Sequence, residues 1–186
     1  MRIISGKHKG KSIDFRKNNI TRPLKDSVRE NIFNILVHSN EIRINLQKSN
    51  VLDLYSGIGS FGLECISRGA KKVTFVEENI DSLNILKKNL LMLAIEKYTN
   101  VIEKKIELFL EESKNIKFNI FFLDPPFADR KFIENLRKIK LLKIYPLNHV
   151  VIIHRERKSN DNYEDILRIF KTKNYGRSKI LFGNFI

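Results

Sequence analysis

The chain has 186 residues, 42% hydrophobic and 30% charged, which suits one domain with a full core. Its formal charge of +14 favours polyanionic partners through counterion release. The lone Cys65 excludes an intrachain disulfide framework or cysteine metal cluster, no stretch approaches the ~18 apolar residues of a membrane span, and the start of the chain lacks a secretory apolar core, so a cytoplasmic protein is expected.

The basic excess is concentrated early. Residues 1–50 carry eleven basic and four acidic side chains, half of the net charge. From Met1 to Asn19, short apolar pairs alternate with glycines and with Lys7, Lys9 and Lys11, which predicts a small hairpin or basic arm rather than core. Ser27 and Glu30 have capping-box spacing ahead of an apolar stripe of Val28, Ile32, Phe33, Ile35 and Leu36. That helix carries Arg22, Lys25 and Arg29 around its start.

From Val51 the pattern becomes alternating strands and helices. Strands are predicted at 50–54, 72–76, 100–103, 119–123 and 149–154, with helices at 61–67, 80–94, 106–113 and 132–142 between them. Short helices and glycine turns between buried strands argue for an α/β, mostly parallel sheet covered on both faces. Leu167–Lys173 and Lys179–Phe185 flank a glycine-containing turn and read as an antiparallel C-terminal hairpin. The natural division is a basic hairpin and helix over 1–48, packed on a core domain over 49–186.

Two motifs carry chemistry. Asp53 ends the first strand and is followed by Gly57, Gly59 and Gly62 at GxGxxG spacing, a turn that lets a ligand approach the backbone. Glu77 ends the next strand, placed to accept two hydrogen bonds from a ribose diol. An acid beside the turn repels a pyrophosphate and welcomes the ammonium and sulfonium of S-adenosylmethionine.

The second motif is Asp124-Pro125-Pro126-Phe127 at the end of a buried strand. Consecutive prolines belong in neither a helix nor a central strand, so the run is a rigid exit. Asp124 and the Pro125 carbonyl are acceptors for an exocyclic amine, and Phe127 is a platform for a planar base. His8, His38, His149 and His154 lack metal-ligand spacing, and no metal is assigned.

Together the Asp53–Gly62 turn, Glu77 and Asp124–Phe127 resemble the S-adenosylmethionine-dependent methyltransferases that modify amino nitrogens. Arg2 to Gly6, Thr21-Arg22-Pro23 through Asp26, Val28-Arg29-Glu30 and Tyr175-Gly176-Arg177-Ser178 are similar, more narrowly, to the bacterial family that methylates N2 of a guanine in 16S ribosomal RNA. The resemblance implies a Rossmann-like sheet of seven strands and an RNA substrate within a small-subunit particle, bound by a monomer. It places Asp53, Gly57, Gly59, Glu77 and Lys105 at the cofactor and Asp124–Phe127 at the target amine. Lys7, Lys9, Lys11, Arg22, Lys25, Arg29 and Arg177 are the candidate RNA contacts, with Arg29–Glu30 alternatively a buried pair that braces the N-terminal helix without touching RNA.

Lys105 departs from the family pattern, because lysine has no acceptor for an adenine amino group. The basic run His154-Arg155-Glu156-Arg157 ends the fifth strand either as an RNA-facing rim or as a solvated strand end. Competing readings are an adenine-N6 methyltransferase on DNA or RNA and a non-catalytic ribosome assembly factor. An NAD dehydrogenase would need a substrate domain for which little length remains.

Overall fold

The computed structural model describes residues 1–15, 24–113 and 116–186. Five parallel strands form the body of the sheet: β1 (Asn50–Leu54), β2 (Lys72–Glu77), β3 (Thr99–Glu103), β4 (Ile120–Leu123) and β5 (Val150–Glu156). The antiparallel hairpin β6 (Leu167–Tyr175) and β7 (Ser178–Phe185) completes seven strands in the order β3-β2-β1-β4-β5-β7-β6. Near-continuous apolar runs make β1, β4 and β5 buried on both faces, as a covered parallel sheet requires.

Helices α1 (Asp26–His38), α2 (Ser60–Ser67) and α3 (Ile80–Leu93) cover one face. Phe33, Phe61 and Phe122 form a stacked series there, with centroids 5.3 and 4.1 Å apart. Helices α4 (Ile106–Glu112) and α5 (Phe132–Leu142) cover the other face through Phe109, Leu110, Leu136 and Ile139. Strand order reverses between β1 and β4, and such switch points open a ligand crevice beyond the strands' carboxyl ends.

The N-terminal segment forms a small hairpin, one of the two expected forms, but it joins the core instead of lying outside it. Ile3 and Ile13 are 1% and 3% exposed, and both belong to the core that α1 and α2 share with the sheet. An Arg2–Ser12 bridge closes a small hairpin. Glu64 of α2, itself fully buried, accepts from the Ile4 and Ser5 N–H groups at 2.8 and 2.9 Å. At Gly6, with φ of 83°, a Cβ would lie 1.9 Å from the Ser67 carbonyl oxygen, so only glycine permits the approach.

The expected capping box is also absent. Helix α1 starts at Asp26, its N-cap is Lys25, and no side chain caps it. Asp26 instead faces Arg29 Nη2 at 3.0 Å across the first turn, where negative charge also suits the helix dipole.

Candidate active site

Strand register determines which residues meet at the crevice. Leu54 pairs with Val76 and Leu123, and Leu123 pairs with Ile153. The next row therefore holds Glu77, Tyr55, Asp124 and His154: β1 and β4 have left the ladder there, while Glu77 still pairs with Glu103 of β3 and His154 with Ile180 of β7. Asp124 N–H still donates to the Leu54 carbonyl at 3.5 Å, tying the start of the proline exit to β1.

The glycine turn serves two purposes. Gly57 has φ of 53° and nothing within 4 Å of a built Cβ, so its backbone faces open space. A Cβ at Gly62 would fall 2.3 Å from Phe75 Cε1, so this glycine serves close helix-on-strand packing instead. The neighbouring Ser56 hydroxyl is buried without a partner among the described residues.

Asp53 is 1% exposed, and its Oδ2 accepts from Gly62 N–H at 3.0 Å. It holds the floor of the turn rather than presenting a carboxylate to a ligand, a correction to the expected direct contact. Burial pushes its carboxyl well above the usual range; the Gly62 hydrogen bond opposes this, and the Asp124 and Glu77 charges add to it. A carboxyl with a raised folded pKa favours the native state below its ordinary pKa, and that contribution disappears as pH rises through the raised value. Asp53→Asn keeps an acceptor for Gly62 and carries no charge. Its melting temperature should match the wild type in acid and exceed it increasingly as pH rises, measured by thermal scans across pH.

Glu77 is more occupied than its position suggests. Oε2 accepts from Gly57 N–H at 2.7 Å, and Oε1 accepts from Glu78 and Asn79 N–H at 3.0 and 2.9 Å. A carboxylate has about four acceptor sites. This arrangement leaves room for one further hydroxyl, not for both hydroxyls of a diol.

At the other side of the crevice, Asp124 Oδ1 lies 2.7 Å from His154 Nδ1. Phe127 is 43% exposed and meets the His154 ring edge-on at 5.8 Å. Among the described residues no donor reaches the Pro125 carbonyl, whereas Pro126 and Phe127 carbonyls accept from Arg155 at 3.1 and 3.2 Å. Arg155 is fully buried: Nε donates to Asp161 Oδ2 at 2.9 Å, Nη2 also reaches the Asp129 carbonyl, and the guanidinium lies over the Phe132 ring. Burial pulls the Asp161 carboxyl upward, but the hydrogen bonds from Arg155 and the charges of Arg155 and Arg130 hold it below the ordinary range.

Of the strand end His154-Arg155-Glu156-Arg157, the first two residues are thus turned inward, while Glu156 and Arg157 are exposed. One side chain reaches Asp124 while the next ties down the proline exit. Tyr55, with φ of 58°, donates no such charge but joins the two halves: its hydroxyl accepts from Asn135 Nδ2 of α5 at 3.1 Å.

The candidate RNA contacts do not converge. Arg29 is fully buried, donating to the Arg2 carbonyl at 2.5 Å and pairing with Asp26 and, at 3.7 Å, Glu64, so it braces the N-terminal segment and cannot meet a phosphate. Lys7 N–H binds the Ser67 carbonyl at the far end of α2, which places the Lys7–Lys11 loop towards the end of the sheet where strands begin, away from Asp124. Lys25 is exposed at the start of α1. Arg177 is exposed in the β6–β7 turn, which the Glu156–Ser178 pairing sets beside the carboxyl end of β5. Lys105 is the exposed N-cap of α4. Arg22 lies outside the described residues. No group of three potential metal ligands and no helix long and apolar enough to cross a membrane occurs among the described residues.

A family model described as "Conserved hypothetical protein 95" matches residues 1–184. The Bacillus subtilis protein named "Putative rRNA methyltransferase YlbH" is 34% identical over 133 residues, 70% of this chain and 69% of its own length. The chain belongs to this rRNA methyltransferase family. The "Ribosomal RNA small subunit methyltransferase D" of Haemophilus influenzae is 38% identical over 129 residues, 68% of this chain but only 64% of its own length. Among solved structures, "Putative methyltransferase yhhF" from Escherichia coli superposes with a TM-score of 0.82 at 25% identity, covering 100% of this chain and 97% of that one.

Proposed function

We propose that this protein transfers the methyl group of S-adenosylmethionine to the exocyclic N2 amine of a guanine in 16S ribosomal RNA, within a small-subunit particle. The observation that carries the reading is the single row holding Glu77 on one side of the β1–β4 crevice and Asp124 on the other. An acceptor for a sugar hydroxyl and an acceptor for an amine then stand at one cleft, joined by the turn that can hold what lies between them.

The residues fit the cofactor. Open space over Gly57 admits it, the unpartnered Ser56 hydroxyl is a donor and acceptor in reserve, and Glu77 retains one acceptor site. Lys105 offers only its backbone to an adenine ring. Bound there, the cofactor supplies an electrophilic methyl carbon on a sulfonium.

Asp124 and the Pro125 carbonyl accept the two N–H groups of the amine and so aim its lone pair along a fixed line. As the nitrogen bonds to carbon, the C–S bond breaks with its electrons left on sulfur. Positive charge grows on nitrogen where the Asp124 carboxylate and the carbonyl dipole already point, which stabilises the transition state, and the surplus N–H proton passes to the Asp124 carboxylate and from there to solvent. Phe127 gives the base a ring to stack on; a base in folded RNA must be unstacked first, at a cost of a few kcal/mol. Arg177, in the turn beside the carboxyl end of β5, and the exposed Lys25 at the start of α1 supply phosphate contacts.

The test is incubation with methyl-labelled cofactor and, separately, undermethylated small subunits, naked ribosomal RNA or DNA, followed by mapping of the labelled base. Label at guanine N2 in the particle supports the proposal. Label at adenine N6 replaces the substrate, and tight RNA binding without transfer makes the protein an assembly factor.

A further inference from the structure

The Asp124–His154 contact has a consequence for how the amine pocket is set. A carboxylate with both oxygens free turns about its last torsion, so its acceptor direction is poorly defined. Asp124 is anchored by one oxygen: His154 Nδ1 stands 2.7 Å from Oδ1, the length of a charge-assisted hydrogen bond. The pair is sheltered, with side chains 12% and 27% exposed for His154 and Asp124. The same imidazole ring lies 5.8 Å from the Phe127 ring in a T-shaped arrangement, and no other aromatic contact among the described residues restrains Phe127. His154 itself has little freedom, since it is still paired with Ile180 of β7 and is followed by the buried Arg155.

We infer that His154 is a positioning residue for the amine pocket: its Nδ1–H holds Oδ1 of Asp124, which turns Oδ2 towards the amine, and its ring sets the tilt of Phe127. This role rests on the methyl-transfer reading above. It requires the tautomer with the proton on Nδ1, because an ionised carboxylate only accepts. His154 neither takes nor gives a proton in the reaction, so its effect passes entirely through the two residues it touches.

The experiment compares His154→Leu and His154→Asn with the wild type, using the nucleic acid that the wild type methylates. Leucine removes the donor, and asparagine returns an N–H close to the position of Nδ1. The leucine variant should lose roughly 10- to 100-fold in kcat, the effect of withdrawing a charge-assisted hydrogen bond from a group that works in the transition state. Its cofactor dissociation constant and melting temperature should stay near the wild-type values, and the asparagine variant should regain most of the rate. Independently of turnover, long-range proton–nitrogen spectra should show a protonated Nδ1 in the wild type whose signal moves in Asp124→Ala.

Unchanged kcat in the leucine variant overturns the role. So does a rate loss that merely tracks lost stability, an asparagine variant no better than leucine, or a proton found on Nε2 alone. A wild-type protein that transfers no methyl group to any substrate removes the parent reading and the kinetic role with it. Wild-type activity beside an unaffected leucine variant removes the role of His154 only.

Discussion

Asp124→Ala should lower methyl transfer by roughly 10²- to 10⁴-fold, the range for a group that takes part in moving a proton from the reacting atom. Asp124 is an intermediate-exposure residue at a strand exit, and alanine there leaves no large cavity. Folding and cofactor affinity should therefore hold, and the loss should fall on kcat, measured by label transfer with cofactor saturating. Asp124→Asn should fall between the two. It keeps one oxygen, for which His154 and the amine then compete, and turns a donor towards one of them. An alanine variant with normal turnover would remove Asp124 from the chemistry.

Arg155→Met should produce the largest loss of stability. It leaves Asp161, whose side chain is 2% exposed, with only the exposed Arg130 as an ionic partner, and withdraws the Arg155 donors from the Pro126, Phe127 and Asp129 carbonyls, of which Pro126 keeps the Asp129 N–H. Breaking a buried pair from one side costs about 3–5 kcal/mol. For a chain of this size that lowers the melting temperature by roughly 10 °C or more, read by calorimetry. Replacing Asp161 as well should recover part of the loss, because a buried carboxylate balanced only by the exposed Arg130 is then gone. Activity should fall beyond what unfolding explains, since Phe127 sits on the released segment. A melting temperature within a degree or two of the wild type would show that the proline exit holds itself.

The alternating segments from β1 to β5 were legible because each repeats one pattern, an apolar run of strand length followed by a turn and an amphipathic helix. Helix α5 and strand β1 match their sequence-based bounds, Phe132–Leu142 and Asn50–Leu54. For the N-terminal segment the hairpin was legible but its burial was not, because Ile3 and Ile13 sit among lysines and glycines, a composition typical of an arm. Their burial depends on Glu64, sixty residues away, taking two of the hairpin's N–H groups.

Arg29 was misread for a related reason. An arginine at a helix start reads as a surface cation unless its carboxylate partners are known, and Glu64 lies on another helix. The row at the crevice was half legible. Asp124 and Glu77 announce themselves through the proline pair and the glycine turn, while His154, Arg155 and Tyr55 belong to no motif. The one available signal was the density of charge in His154-Arg155-Glu156-Arg157 at the end of a strand otherwise built for the core.

By itself the sequence determined the α/β alternation, the glycine turn with its acid, and an aromatic proline exit fit for an amine. These features are local: strand, turn and motif are written in residues a few positions apart. Only the tertiary structure decided that Asp53 holds the turn from below, that Arg29 is spent inside, and that His154 grips one oxygen of Asp124. Those outcomes depend on strand register and on helices crossing the sheet, which bring together side chains that the chain separates by as many as thirty residues or more.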